Sequence, residues 1–453
     1  MNTALLTVHA PLVRASGAVR PMLVVAATAP VAALALVAIA VLRLPANPSE
    51  MASNLLLDPA VRGGYLFGLT LVCIAPLALL YQAVRLGSAS RERRLAALRV
   101  AGATPGDVRV LGALDVGLPA IVGAAFGYPA FVALRHLFGG QRIGTYRGGD
   151  PVDLQFRVVP VSVSPAWWEV ALVIAALGLA GALIGSRALG GVVTEPLGTV
   201  SQVSRTAPRP WSLLLLVPAL PLLLLAGSSS GSADVAQLAL IAAISLGVVA
   251  MLGLGPSAAH LAGRWALRRT TSAEGLLAAA RLVADPRASG RAAATVGVIS
   301  LVSGFSAFFL TDVQRSGNGF DAFYVAPLVL VLVVLVAALL TVAVALAVHA
   351  AESAVDRKRA TAALAAQGAG VEVVVAAHRR EIELAVLPLA TLGVVLGAVP
   401  ANLIAGVTTW GLVLTPAFIV ATVALAWVSA LAATALARPA IERACSLENL
   451  RNG

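Results

Sequence analysis

Apolar residues in this chain fall into blocks of about 20, the length a helix needs to cross a hydrocarbon core of ~30 Å. Short segments that collect the arginines and acids separate the blocks. The pattern predicts ten spans, near residues 22–42, 64–84, 110–134, 169–187, 211–227, 236–257, 291–310, 325–348, 383–405 and 412–437. The fifth is the shortest and contains Pro218 and Pro221. Met22–Leu42 is longer than the apolar core of a signal peptide and lacks a clear cleavage site, so it is expected to stay as the first span.

Composition turns the pattern into a class. Hydrophobic residues make up 59% of the chain and charged residues 12%, against roughly a quarter charged in soluble domains. A soluble fold of this size would need a polar skin that is missing here. The expected fold class is therefore an all-α polytopic membrane protein with small extracytoplasmic loops.

The net charge of +11 changes the picture only through its distribution. The basic residues sit in short loops between spans, where they orient a membrane protein, and form no basic stripe with interleaved aromatics for nucleic acid. With both termini inside, cytoplasmic segments hold 25 of the 32 Lys and Arg residues and outer segments 7. Trp167, Trp168 and Trp410 then fall at outer span ends, where amphipathic rings favour the interface. The longest outer loop, Arg135–Trp168, carries Gly139-Gly140, Gly148-Gly149 and a strand-like alternation over Leu154–Val163. That is compatible with a small hairpin, but the loop is too small for a folded sensor domain.

The chain repeats itself. Arg91-Glu92-Arg93-Arg94-Leu95-Ala96-Ala97-Leu98-Arg99-Val100-Ala101-Gly102-Ala103 aligns with Arg357-Lys358-Arg359-Ala360-Thr361-Ala362-Ala363-Leu364-Ala365-Ala366-Gln367-Gly368-Ala369 at a constant offset of 266. Both segments lie between the second and third spans of a four-span unit, and both read as short amphipathic helices. Ser88 or Ser90 caps the first, Gly102 ends it in the left-handed conformation, and Thr104-Pro105-Gly106-Asp107 starts a fresh helix. One reading is a basic juxtamembrane loop that merely pins topology; the repeat and the matched caps favour a docking helix. A looser duplication places amphipathic elbow helices at Thr3–Ser16 and Thr271–Ala284, the second stopped by Asp285-Pro286. The predicted organisation is a first four-span unit over 1–200 with a cytoplasmic helix at 88–104, two linking spans over 201–265, and a second unit over 266–453. The second unit carries the elbow helix 271–284 and a cytoplasmic helix at 353–370.

Catalytic chemistry is sparse. No Gly-Lys-Ser/Thr phosphate loop exists, and the sole lysine, Lys358, lies in Arg-Lys-Arg. His9, His136, His260, His349 and His378 show no ligand spacing, and Cys73 and Cys445 are not expected to pair. Asp115, Glu169, Glu381 and Glu383 stand near span ends. Interfacial anchoring is expected for them rather than ion coupling, which counts against a proton-driven carrier.

The Arg91–Ala103 segment resembles the cytoplasmic signature of the FtsX-like permeases, the membrane subunits of ABC transporters of the MacB, LolCDE and BceAB type. Asp115 and Glu381 or Glu383 match the acid that family often has entering its third helix, and Pro196-Leu197 resembles its exit from the fourth. Ten spans with a duplicated unit look most like the Bce-type layout, without its large extracytoplasmic domain. Lys358 and Ala365 depart from the signature, so the two copies are expected to be unequal.

The resemblance implies a permease of the bacterial plasma membrane, not itself an enzyme, served by a separate P-loop ATPase in two copies per chain. ATP and Mg2+ would bind that partner, with no cofactor on this chain and no nucleic-acid partner. Arg91, Glu92, Arg93, Leu95, Leu98 and Gly102, with Arg357, Arg359, Leu364 and Gly368, would form the docking surfaces. An amphiphile such as a peptide antibiotic, drug or lipid would be exported or extracted. The alternatives are an FtsX-like regulator that relays ATPase motion to cell-wall enzymes, and a secondary carrier.

Overall fold

A computed structural model of the protein describes residues 19–45, 59–85, 102–139, 145–147, 150–152, 159–188, 210–227, 233–315, 322–405, 409–446 and 448–451. Thr3–Ser16 and all but the last two residues of the Arg91–Ala103 signature lie outside them. The chain divides into two compact units, one of Met1–Arg142 with Gln155–Arg205 and one of Ile143–Leu154 with Thr206–Gly453.

The first unit holds α1 (Val19–Leu42), α2 (Pro59–Val72), α3 (Ile74–Arg85), α4 (Pro105–Phe138) and α5 (Trp167–Ala188). Helices α2 and α3 are one apolar span broken at Cys73. Pro76 has no N–H for the Val72 carbonyl, and its ring crowds that turn. The neighbouring bonds survive, Cys73 N to Leu69 O at 3.2 Å and Leu77 N to Cys73 O at 3.0 Å, so the chain stays helical on both sides.

Helix α4 opens with a reciprocal cap. The Asp107 N–H donates to Thr104 Oγ1 (3.2 Å), the Thr104 N–H donates to Asp107 Oδ2 (2.9 Å), and Pro105 takes the first helical position, as the sequence led us to expect. The helix packs on α1 through Gly123 and Gly127, which face Val25, Thr28, Ala29 and Ala32, and on α5 through Gly112 and Gly117, which face Gly185 and Ala182. Lipid tails are as apolar as side chains, so close backbone approach rather than hydrophobicity drives such packing. Leu36, Val37, Val41, Phe131 and Val173 fill the core between these helices.

Strands β1 (Thr145–Arg147) and β2 (Asp150–Val152) pair antiparallel, with Arg147 opposite Asp150. They flank Gly148-Gly149, a pair suited to a two-residue hairpin turn. The hairpin thus lies upstream of the expected Leu154–Val163 alternation, whose described residues 159–163 form no strand.

After the hairpin, the helices of the second unit start with a 3-10 turn, Trp211–Leu215, leading into α6 (Leu216–Gly227). Together they reach about 28 Å, just under the hydrocarbon thickness. Among the described residues nine helices are long and apolar enough to cross a membrane, and Trp211–Ala226 is the shorter apolar helix where a fifth span was expected. Then follow α7 (Ala233–Arg269), α8 (Ala273–Ala284), α9 (Pro286–Arg315), α10 (Ala322–Asp356), α11 (Lys358–Ala366), α12 (Val371–Ala405), α13 (Thr409–Ala444) and α14 (Glu448–Arg451).

Helix α9 is the centre of this unit. Its apolar window is 78% buried, against 22% for α13. Gly297 and Gly304 let it lie against Gly393 and Gly397 of α12, and Gly290 lets it meet Gly255 of α7. Helix α8, the expected elbow, is capped by Ser272, whose Oγ accepts the Gly275 N–H at 3.3 Å, and it stops at Asp285.

Several helices outrun their hydropathy windows. Helix α10 continues to Asp356 rather than about 348, and α12 begins at Val371 rather than 383. Hydropathy marks the part of a helix that suits lipid; the extra turns carry His349, Glu352, His378 and Glu381, which are buried against protein instead.

Candidate coupling site and its buried ion pairs

Helix α10 breaks at Arg357, and α11 runs for nine residues before the chain enters α12. Its end is a complete Schellman motif. The Ala369 N–H donates to the Leu364 carbonyl (3.0 Å) and the Gly368 N–H to the Ala365 carbonyl (3.0 Å), with Gly368 at φ +95°. Gly102, 266 residues earlier, sits at φ +102° just before α4, and these are the only positive-φ residues among those described. A Cβ at either would touch nothing within 4 Å, so the demand for glycine is conformational.

Thr361 and Ala362 face inward from α11, Arg359, Ala360 and Gln367 face out, and Leu364 lies half-buried at the edge. Helix α14 and the end of α13 pack beside α11. Of the residues expected to dock a partner, Arg359 and Gly368 are exposed and Leu364 is partly available. Arg357 turns inward instead. Arg91, Glu92, Arg93, Leu95 and Leu98 lie outside the described residues.

Arg357 turns in because Glu381 is there. Glu381 is 4% exposed. One of its oxygens accepts the Ser289 hydroxyl at 3.0 Å. The other faces Arg281 Nη1 at 3.8 Å and Arg357 Nη1 at 3.7 Å. Those last two distances are ion pairs but too long for hydrogen bonds, and neither Glu381 Oε2 nor Arg357 Nη1 finds another partner. Arg281 comes from α8, Ser289 from α9, Arg357 from the α10–α11 break and Glu381 from α12, so four segments meet on one carboxylate.

His378, one turn earlier on α12, supports the same cluster. Its Nδ1 donates to the Val374 carbonyl (2.9 Å), which leaves Nε2 to accept from Arg281 at 3.4 Å. Burial pulls the Arg281 pKa below its ordinary value, while the Glu381 carboxylate beside it works in the opposite direction. A cavity of about 10 Å3, near the lower limit for one water, is lined by Ser289, His349, Ser353, His378 and Glu381.

The first unit holds a comparable pair. Arg20, 5% exposed at the start of α1, is bonded to Asp115 of α4, and its Nε donates to the Ala83 carbonyl of α3 at 3.2 Å. Asp115 and Glu381 are again 266 residues apart, each the eleventh residue of its helix, Pro105 and Val371 being the first.

The four acids are therefore not interfacial anchors of one kind. Asp115 and Glu381 join helices within their units. Glu383 binds Arg379 (2.9 Å), Arg380 (3.0 Å) and the Trp427 indole (3.0 Å). Glu169 closes the start of α5 by accepting the Ala166 N–H (2.8 Å) and pairs with Arg43 at 3.0 Å. His378, at 2% exposure, is likewise a packing residue.

Arg281, Ser289 and His378 had not been expected in any site. The sequence signal was available in the acid–base spacing His378–Glu381 on one helical face. No group of His, Cys, Asp and Glu among the described residues is arranged to hold a metal.

Residues 65–191, which span α2 to α5 and include the first signature, match the family model described as FtsX-like permease C-terminal. No curated protein and no solved structure matches the chain. Permeases of this kind are membrane components of transporters rather than enzymes, and they generally work with ATPase subunits. The protein is thus a multi-pass membrane protein, and its residues 65–191 are similar to the FtsX-like permeases.

Proposed function

We propose that this chain is the membrane-spanning subunit of an ABC transporter in the bacterial plasma membrane, with two copies of a separate P-loop ATPase docked on it. The docking elements are the segments 88–104 and 353–370, one in each of two duplicated units joined by residues 201–265. The observation that carries this reading is the pair of left-handed glycines, Gly102 and Gly368, at the same offset as the repeated signature and each directly before a long helix. A basic loop that only pinned topology would need no such matched ends.

The Glu381 cluster supplies the mechanical link. A force on α11 reaches Arg357, which faces the same carboxylate as Arg281 and Ser289. Movement at α11 would therefore pass to α12, α8 and α9 together, as rigid-body displacement rather than local bending. With both termini inside, α11 and the loop before α4 face the cytoplasm, where ATP is. The work done is export or extraction of an amphiphilic substrate.

The test is co-purification from the native host in mild detergent, followed by transport assays in vesicles. A bound P-loop ATPase and ATP-dependent movement of an amphiphile are expected. An ATPase that binds and cycles without moving any amphiphile would favour the FtsX-like regulator. A protein that reproducibly purifies without an ATPase would end the transporter reading.

A further inference from the structure

A groove of about 790 Å3 opens on the second unit between the end of α7, the start of α8 and one face of α12. We propose that it binds one anionic phospholipid, with the phosphate on Arg380 and an acyl chain along α12. This goes beyond the transporter reading and does not depend on it.

The two ends of the groove differ in chemistry. Trp265, Thr270, Ser272, Gly275, Arg380 and Glu383 line it where α7, α8 and α12 converge. Further along α12 its lining is Leu384, Leu387, Pro388, Thr391, Leu392 and Val395. Leu384 to Val395 is twelve helical residues, about 16 Å, close to one leaflet's share of a ~30 Å core. Trp265, 60% exposed, stands at the polar end, as an indole does at a membrane interface.

The charge at that end favours an anion. Glu383 is shared by Arg379, Arg380 and the Trp427 indole, so this triplet of charges nets +1 and the carboxylate has little left to offer a cation. Arg380 gives one N–H to Glu383, its side chain is 61% exposed, and its remaining donors suit a phosphate. Arg264, Arg268 and Arg269 are exposed on the last turns of α7 that lead to Thr270. Glu274, half-buried in the first turn of α8, is the nearby opposing charge. An apolar wall beneath an arginine selects a lipid over a free phosphate, because a small anion would leave that wall uncovered.

Native mass spectrometry of the purified full chain, titrated with palmitoyl-oleoyl phosphatidylglycerol, phosphatidylcholine or glycerol phosphate, tests this. Phosphatidylglycerol should bind ~5-fold more tightly than phosphatidylcholine, as one engaged arginine would give. Arg380→Ala should erase that preference and Arg380→Lys restore part of it. Leu387→Trp should weaken both lipids together by filling the apolar wall. Glycerol phosphate should not compete. Equal binding of the two lipids, a preference untouched by Arg380→Ala, or effective competition by glycerol phosphate would each overturn the proposal. Arg380 is exposed and Glu383 keeps two other donors, so Arg380→Ala remains informative if Leu387→Trp fails to fold.

Discussion

Asp115 and Glu381 stand at the same position of two long helices, and the protein holds them in different ways. Asp115 has Arg20 as its arginine, and that arginine is also tied to the Ala83 carbonyl. Glu381 is shared between Arg281 and Arg357 at nearly equal, longer distances, with Ser289 fixing its other oxygen. The first arrangement locks α1, α3 and α4 in one geometry. The second is a junction where four segments meet, and one of its members, Arg357, sits at the break into α11. An acid met by an arginine that is itself tied to a third helix serves rigidity, whereas an acid facing a hinge arginine can also pass on a displacement.

The largest effect should follow from removing the acid of the shared junction. Glu381→Ala leaves two guanidiniums facing each other without a counter-charge, and should cost about 3–5 kcal/mol of stability, read as loss of thermal stability in detergent. Next is Arg20→Leu, which strips Asp115 of its buried arginine. Asp115 is 21% exposed, so partial hydration should hold the cost to roughly 2–3 kcal/mol. Arg357→Leu should cost only ~1 kcal/mol, because Glu381 keeps Arg281 and Ser289 while Arg357 is 28% exposed. If Arg357→Leu proved as costly as Arg20→Leu, the junction would not be shared.

The most even pair of effects belongs to the glycines. Gly102→Ala and Gly368→Ala should each cost ~1–2 kcal/mol of strain, with no steric contribution, since both positions are open. Unequal costs would show that only one of them is held in its left-handed conformation by the fold. Proteolysis rates at the two sites would give the comparison residue by residue.

Much of this was legible in the sequence. Blocks of apolar residues marked the spans, and the Thr104 box, the Ser272 cap and Gly368 stood where short-range rules place helix ends. Those features are local, and the chemistry of a few consecutive residues decides them. The Trp211 segment was harder to place because its apolar length falls at the margin, where a 3-10 turn changes its reach by several ångströms. The Glu381 junction was not legible. Its members are scattered from Arg281 to Glu381, and hydropathy windows cut α12 short of the turns that carry His378 and Glu381. An acid near a span end reads as an interfacial anchor until the arginines that face it are known to be buried. The direction of Arg357 was missed for the same reason: it shares a basic run with Lys358 and Arg359, and only the fold turns it inward.

Two unequal docking sites on one chain, as proposed, should each receive an ATPase, and the mass of the intact complex shows whether they do. Co-expressed with its ATPase, the wild-type chain should carry two copies. Leu98→Asp alone or Leu364→Asp alone should leave one, and the double variant none, with the permease still in the membrane in every case. A double variant that kept two copies would place the docking surfaces elsewhere on the chain.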